Sequence, residues 1–282
     1  MRVAATDDRS GTVTKTISGD EKPMTDLDAR EAFALDIALR AGRLALTMRN
    51  DLAPADAKSA IDFCTEADLA VERLIRGEVE ERFGDSFIGE EFGGEPGDAV
   101  WVVDPIDGTT GYIHGTPRWC VSIGFVLRGV IEIGVLYAPA TDRLFTARRG
   151  RGAYLNGRPI KVSGLRHGAV PVIEAGWSER SSLDTYFELI RRLNAARIEF
   201  RRIGSGALGL AEVACGLADG YVELHINAWD AMAGLLLVSE AGGVVNDFLA
   251  NDGLRKGNSL MACTPELATS LTAILDTLTH PA

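Results

Sequence analysis

Trp101-Val102-Val103-Asp104-Pro105-Ile106-Asp107-Gly108-Thr109-Thr110 runs from an apolar segment straight into two aspartates, a glycine and two hydroxyls. Val100 to Val103 is short, β-branched and aromatic, which reads as a buried strand. Pro105 has no N–H for a ladder, so pairing is expected to stop there and leave both aspartates at a strand end. Two carboxylates on one rigid turn repel each other unless a cation lies between them, and hard cations such as Mg²⁺ take carboxylate and carbonyl oxygens. Gly108 and Thr109 then offer backbone N–H groups beside the cation, an arrangement suited to phosphate. The bland alternative is an ordinary turn, since Asp-Pro and Asp-Gly are turn dipeptides. An EF-hand loop fails, because its third position would be Ile106 and its twelfth Gly115.

Together with Gly89-Glu90-Glu91 upstream and Trp229-Asp230 downstream, the Asp104–Thr110 block resembles the inositol monophosphatase family. The resemblance extends from about Met24 onward and includes Gly124-Phe125, Tyr137-Ala138-Pro139, Gly152-Ala-Tyr-Leu-Asn-Gly157 and Glu240-Ala-Gly-Gly243. It implies an α+β fold, a layered αβαβα sandwich with an N-terminal antiparallel sheet and a C-terminal α/β half. It also implies an enzyme that hydrolyses a phosphate monoester with two or three Mg²⁺ ions. Glu90, Asp104 and the Ile106 carbonyl would hold one ion, and Asp104, Asp107 and Asp230 a second. Asp68, Thr109 and Glu90 would be the catalytic residues, with Thr109 oriented by Asp68 to position the attacking water. The N–H groups of Gly108 and Thr109 would bind phosphate oxygens, while Gly206, Ala207, Glu223 and Asp230 would contact substrate.

The resemblance further implies a small phosphorylated polyol as substrate, myo-inositol 1-phosphate first, and a homodimer, with lithium inhibition known in some members. Histidinol phosphate, fructose 1,6-bisphosphate and nucleotide 3′-phosphates are the alternatives within the family, because the metal ligands alone do not separate them. Gly111 stands where inositol phosphatases commonly have Asn, which bears on specificity and not on the metal ligands.

The 282 residues suffice for one large domain or two modest ones. Forty acidic against 29 basic residues give a net charge of -11, which argues against nucleic-acid or anionic-membrane partners. A phosphate site on such a chain needs a local positive field, and divalent metal on an aspartate cluster supplies one. Cys64, Cys120, Cys215 and Cys263 show no metal spacing and read as free thiols of a reducing compartment. No apolar run approaches bilayer length, and residues 1–23 read as a polar, flexible leader rather than a secretion signal. A cytoplasmic enzyme is the expectation.

Residues 24–168 are expected to form an α+β half carrying most metal ligands, and 169–282 an α/β half supplying Asp230 and substrate contacts. In the first, a helix opens after Thr25 and runs to about Met48, and a second begins at Thr65 and ends at Gly84. Phe87–Glu91 is a short strand, followed by antiparallel strands at 119–127, 131–137 and 144–148 and a hairpin turning at Asn156-Gly157. Beyond His167 strands and helices alternate, which predicts parallel pairing.

Several of these residues carry a purely structural alternative. Asp68 is the acidic partner of a Thr65 cap, Asp230 is a helix N-cap, Glu90-Glu91 is a solvated pair and Glu223 is an exposed strand residue. His114 and His225 read as structural. Gly204-Ser-Gly206-Ala-Leu-Gly209 matches the dinucleotide fingerprint and is a competitor from another functional class. It would leave Glu90, Asp104, Asp107 and Asp230 unexplained, and its structural alternative is close helix-to-strand packing.

Overall fold

The computed structural model describes residues 26–50, 57–165 and 169–279. The expected leader and the Thr25 cap lie outside them. Helices α1 (Asp26–Asn50) and α2 (Ala57–Arg82) open the fold. There follow β1 (Ser86–Gly89), β2 (Ala99–Asp107), the short α3 (Thr109–Ile113), β3 (Cys120–Leu127), β4 (Val130–Ala138), β5 (Arg143–Arg148), β6 (Gly152–Leu155) and β7 (Arg158–Pro159). These seven strands form one sheet in sequence order, antiparallel except for the parallel β1–β2 pair. Asn156 and Gly157 both have positive φ, as the expected type I′ hairpin requires.

The rest of the chain gives β8 (Val172–Ala175), α4 (Leu183–Ala195), β9 (Glu199–Arg201), α5 (Gly206–Ala214), β10 (Gly220–Ile226) and α6 (Ala228–Glu240). It ends with β11 (Val244–Val245), α7 (Gly253–Lys256), β12 (Asn258–Cys263) and α8 (Ala268–Thr279). The second sheet has the order β11-β12-β10-β8-β9. β8 pairs in parallel with β9 and β10, as the alternating pattern predicts, while β12 is antiparallel to both its neighbours.

Three apolar clusters separate five layers. The first joins α1 and α2 to one face of the seven-stranded sheet, through Phe33, Ile37, Val71 and Trp101. The second lies between the two sheets around α5 and α6, and the third joins the outer face of the second sheet to α4 and α8. This is the αβαβα sandwich. The central layer is thin because glycines admit it: a Cβ on Gly134 would stand 2.6 Å from the Ala233 carbonyl oxygen, and one on Gly124 would stand 2.6 Å from Met232 Cβ. Helix α6 therefore lies almost directly on β3 and β4, and its first turn, with Asp230, is brought to the end of β2.

Three local expectations change. β2 does not stop at Pro105: Asp104 pairs with Ser122 and Asp107 with Cys120, so the extra residue is taken up in a β-bulge that hides the missing N–H. Helix α2 begins at Ala57, so Thr65 and Asp68 are interior and do not form its cap. The helix-forming Ala-Lys-Ser-Ala start outweighs the later capping cue. The N-cap of α6 is Asn227 and places Asp230 inside the first turn.

Candidate active site

The bulge sets the site. Because it shifts the alternation of β2, Asp104 and Asp107 both come to the same end of the sheet, and Asp104 Oδ1 accepts the Ile106 N–H at 2.9 Å. Carboxylate oxygens of Asp104, Asp107 and Asp230 lie within 4.8 Å of one another. The parallel β1–β2 pairing puts Glu90, one residue beyond β1, next to this group, with its N–H on the Val103 carbonyl at 3.2 Å. Its carboxyl is within hydrogen-bonding range of Asp104.

Among the described residues no lysine or arginine pairs with any of these four acids. Burial, then repulsion from Glu90, Asp107 and Asp230, holds the Asp104 carboxyl well above the usual carboxylate range. Asp230 is raised in the same way by burial and by Asp107 and Glu90. Glu90 is pushed up to about 7 by dehydration, with Glu91, Asp107 and Glu72 adding like charge. Much of the Glu90 side chain is exposed, so the repulsion is the firmer of its two causes. A set of hard, uncompensated oxygens around one point suits a divalent cation such as Mg²⁺.

Asp107 differs from the others in being anchored. Its Oδ2 accepts the Ser205 hydroxyl at 2.5 Å and the Ala207 N–H at 2.8 Å, and Oδ1 accepts the Gly206 N–H at 3.2 Å. It therefore sits on the N-terminus of α5; burial raises its carboxyl above the usual range, and those donors offset part of that rise. The N–H groups of Gly206 and Ala207, expected on substrate, point at Asp107. Gly206 lines the cleft, whereas Ala207 is buried beneath it.

This anchoring removes the dinucleotide reading, since a carboxylate occupies the place a pyrophosphate would need. The glycines have packing reasons instead: a Cβ on Gly206 would meet Ile226 at 2.8 Å, and one on Gly209 would meet the Tyr221 ring at 2.6 Å.

Two further supports escaped sequence reading. Glu72, wholly buried on α2, accepts the N–H groups of Glu91 at 2.8 Å and Phe92 at 3.1 Å, and Arg76 pairs with it. It shapes the turn that presents Glu90, and Gly89 is required because a Cβ there would fall on the Glu72 carboxylate. Ser122 donates to the Trp229 carbonyl at 2.9 Å and ties α6 to β3 beside Asp230. Serine and glutamate leave no local pattern that marks them as anchors; only the tertiary pairing does.

Gly108 caps α3 at φ 91°, and a Cβ there would meet the Arg118 carbonyl at 2.5 Å. Gly111 is held to glycine by the same carbonyl, also at 2.5 Å, which explains the absence of Asn. As first-turn donors, the N–H groups of Gly108 and Thr109 have no intrahelical partner. Thr109 Oγ1 donates to the Ile106 carbonyl at 3.3 Å. Asp68 is buried on α2, which packs against α3.

Glu223 is buried and not the exposed strand residue of its bland reading. Its Oε2 accepts the Tyr221 hydroxyl at 2.6 Å, and dehydration pushes it up to about 7 against that bond. With Asp107, Asp230, Gly206, Trp177 and Arg202 it lines a cleft of about 170 Å³. His225 lies on the same strand with its titration lowered by burial, then by Arg180, and His114 is exposed on the turn after α3. Neither joins the acidic group.

Comparison with known proteins agrees with this geometry. The sequence model of the inositol monophosphatase family matches residues 26–280. The Nus factor SuhB of Pseudomonas aeruginosa is 38% identical over 257 residues, covering 85% of this chain and 95% of the relative. The Nus factor SuhB of Escherichia coli K12 is 37% identical over 251 residues, with 85% and 94% covered. The solved inositol monophosphatase of Anabaena superposes with a TM-score of 0.76 at 33% identity, over 89% of this chain and 96% of that one.

Proposed function

Because this chain belongs to the inositol monophosphatase family, we propose that it hydrolyses a small phosphate monoester, myo-inositol 1-phosphate first among candidates, with Mg²⁺ as cofactor. The observation that carries the reading is the group Asp104, Asp107 and Asp230, with ligand atoms within 4.8 Å and no cationic side chain among the described residues to neutralise it. Glu90, Asp104 and the Ile106 carbonyl would hold one ion, and Asp104, Asp107 and Asp230 another, with two or three ions in all. Bound Mg²⁺ supplies the charge that lets water ionise near neutrality and lets a phosphate approach an acidic cleft.

The chain's own groups do the rest. Thr109, with Asp68 behind it, orients the attacking water. The N–H groups of Gly108 and Thr109 receive the phosphate oxygens where negative charge grows in the transition state. Glu223, held by Tyr221, accepts substrate hydroxyls across the cleft. Asp107 keeps its ligand geometry because the start of α5 and its Ser205 cap hold Oδ2 and the Gly206 N–H holds Oδ1. The polyol enters past Trp177 and Gly206.

Phosphate release from inositol 1-phosphate, histidinol phosphate, fructose 1,6-bisphosphate and adenosine 3′,5′-bisphosphate, with Mg²⁺ and with chelator, tests the class and selects within it. Release from none of the four would remove the reading. The setting proposed is cytoplasmic, supported by the free thiols of Cys120, Cys215 and Cys263, and the working form a homodimer, to be checked by sedimentation.

A second role, as a Nus factor, is favoured by the name of the 37–38% identical relatives. Expressing the chain and its Asp104→Asn variant in an Escherichia coli strain lacking SuhB tests it. Complementation by both supports a role beside hydrolysis, and complementation by neither argues against it.

A further inference from the structure

Behind the catalytic cleft, and sharing Glu174, Arg202 and Ile203 with it as a wall, lies a second cavity of about 310 Å³. Arg118, Arg143, Arg201 and Arg202 line it, with Pro117 and Leu208 as apolar floor. The acids there are already taken: Arg201 pairs with Glu174 at 2.5 Å and with Glu212 at 2.8 Å. The other three form no salt bridge among the described residues, although Arg202, on the shared wall, feels the charge of Glu223 in the catalytic cleft. Arg143 reaches only the Cys215 sulfur at 3.7 Å and lies over the Phe145 ring, and Arg202 donates to the Trp177 carbonyl at 3.3 Å. Arg118 is exposed, and its backbone carbonyl is the one that closes on Gly108 and Gly111.

Three arginines free of salt bridges among the described residues line this one cavity, two of them away from the catalytic cleft, on a chain of net charge -11. Guanidinium forks match phosphate oxygens in pairs, and like charges held together are relieved by an anion between them. We propose that this cavity is a binding site for a small phosphorylated anion, separate from the catalytic cleft, with Arg118, Arg143 and Arg202 as its ligands. The size admits a molecule carrying two phosphate groups, and the Arg118 backbone links the site to the loop that begins at Gly108.

The two sites are separable by metal. In chelator the carboxylates of the catalytic cleft outweigh Arg202, the one arginine in its lining, so the cleft repels anions, and dependence on Arg118 and Arg143, which line only the second cavity, assigns a bound anion there whether or not the chain is a phosphatase. Inorganic pyrophosphate titrated calorimetrically into the full chain in EDTA is expected to bind saturably, one per chain. The Arg118→Met/Arg143→Met double variant should bind at least tenfold more weakly, and Arg202→Met alone should bind several-fold more weakly. Asp104→Asn should change the affinity less than twofold. Near-ultraviolet circular dichroism checks that each variant keeps its packing, and Arg118→Met, at an exposed position, stands in if the double variant does not fold. No saturable binding, equal binding by the arginine variants, or loss of binding in Asp104→Asn would each overturn the proposal.

Discussion

Gly134→Ala puts the packing of α6 on the sheet to a direct test. The added methyl would sit 2.6 Å from the Ala233 carbonyl oxygen, 3.0 Å from its Cα and 3.2 Å from its carbonyl carbon, all of them backbone. No side chain can swing away, so α6 must move by something on the order of 1 Å to reach an ordinary contact of roughly 3.5 Å. Overpacking of this kind costs about 1–3 kcal/mol. For a chain of this size that is a fall in Tm of about 2–12 °C. The same movement carries Asp230 away from Asp104 and Asp107, and a misplacement near 1 Å costs activity on the order of 100-fold.

Scanning calorimetry and a Mg²⁺ titration of turnover would read both effects. Gly77→Ala is the control: its methyl meets nothing within 4 Å in the helical interior of α2, and it should raise stability by about 0.5–1 kcal/mol. A Gly134→Ala protein with unchanged Tm and unchanged metal dependence would refute the account of how α6 delivers Asp230.

Ser205→Ala removes both a helix cap and a donor to Asp107, so it should cost about 2 kcal/mol and shift the Mg²⁺ saturation curve of turnover to higher concentration. Glu223, with its carboxyl raised from 4.5 to about 7, binds its proton more tightly folded than unfolded. Its contribution is complete below about 4.5 and is lost as pH rises to 7, an effect of about 3 kcal/mol. Urea unfolding of Glu223→Gln should lack that part of the pH slope, and an unaltered slope would show that Glu223 is not the group responsible. Chelation should lower Tm relative to saturating Mg²⁺, by the equivalent of about 2.7 kcal/mol at a hundredfold excess over Kd. The gap should widen as pH rises, because Asp104 and Asp230 must ionise to bind.

What the sequence made legible was the part written in contiguous residues. Asp104 to Thr109 declares a strand end with acids, and Glu90 follows once its strand is placed beside that one. The far-off Asp230 came through the family resemblance alone, and its physical reason is tertiary: glycines on β3 and β4 let α6 approach closely enough. Ser205 and Glu72 were illegible because each acts on a segment distant in sequence, with no spacing to mark it. The bulge at Pro105 was hidden for a related reason. A proline ends a regular ladder, yet a partner strand one residue shorter over the same span absorbs it.

The central claim rests on the carboxylates around Asp104, and the most direct measurement is phosphate release from inositol 1-phosphate by the wild type and by a folded Asp104→Asn variant, each with Mg²⁺ and with EDTA. The account predicts turnover by the wild type only with Mg²⁺, and a loss of several orders of magnitude in the variant at unchanged secondary structure. Turnover that survives EDTA, or a folded Asp104→Asn enzyme working at near wild-type rate, would contradict it.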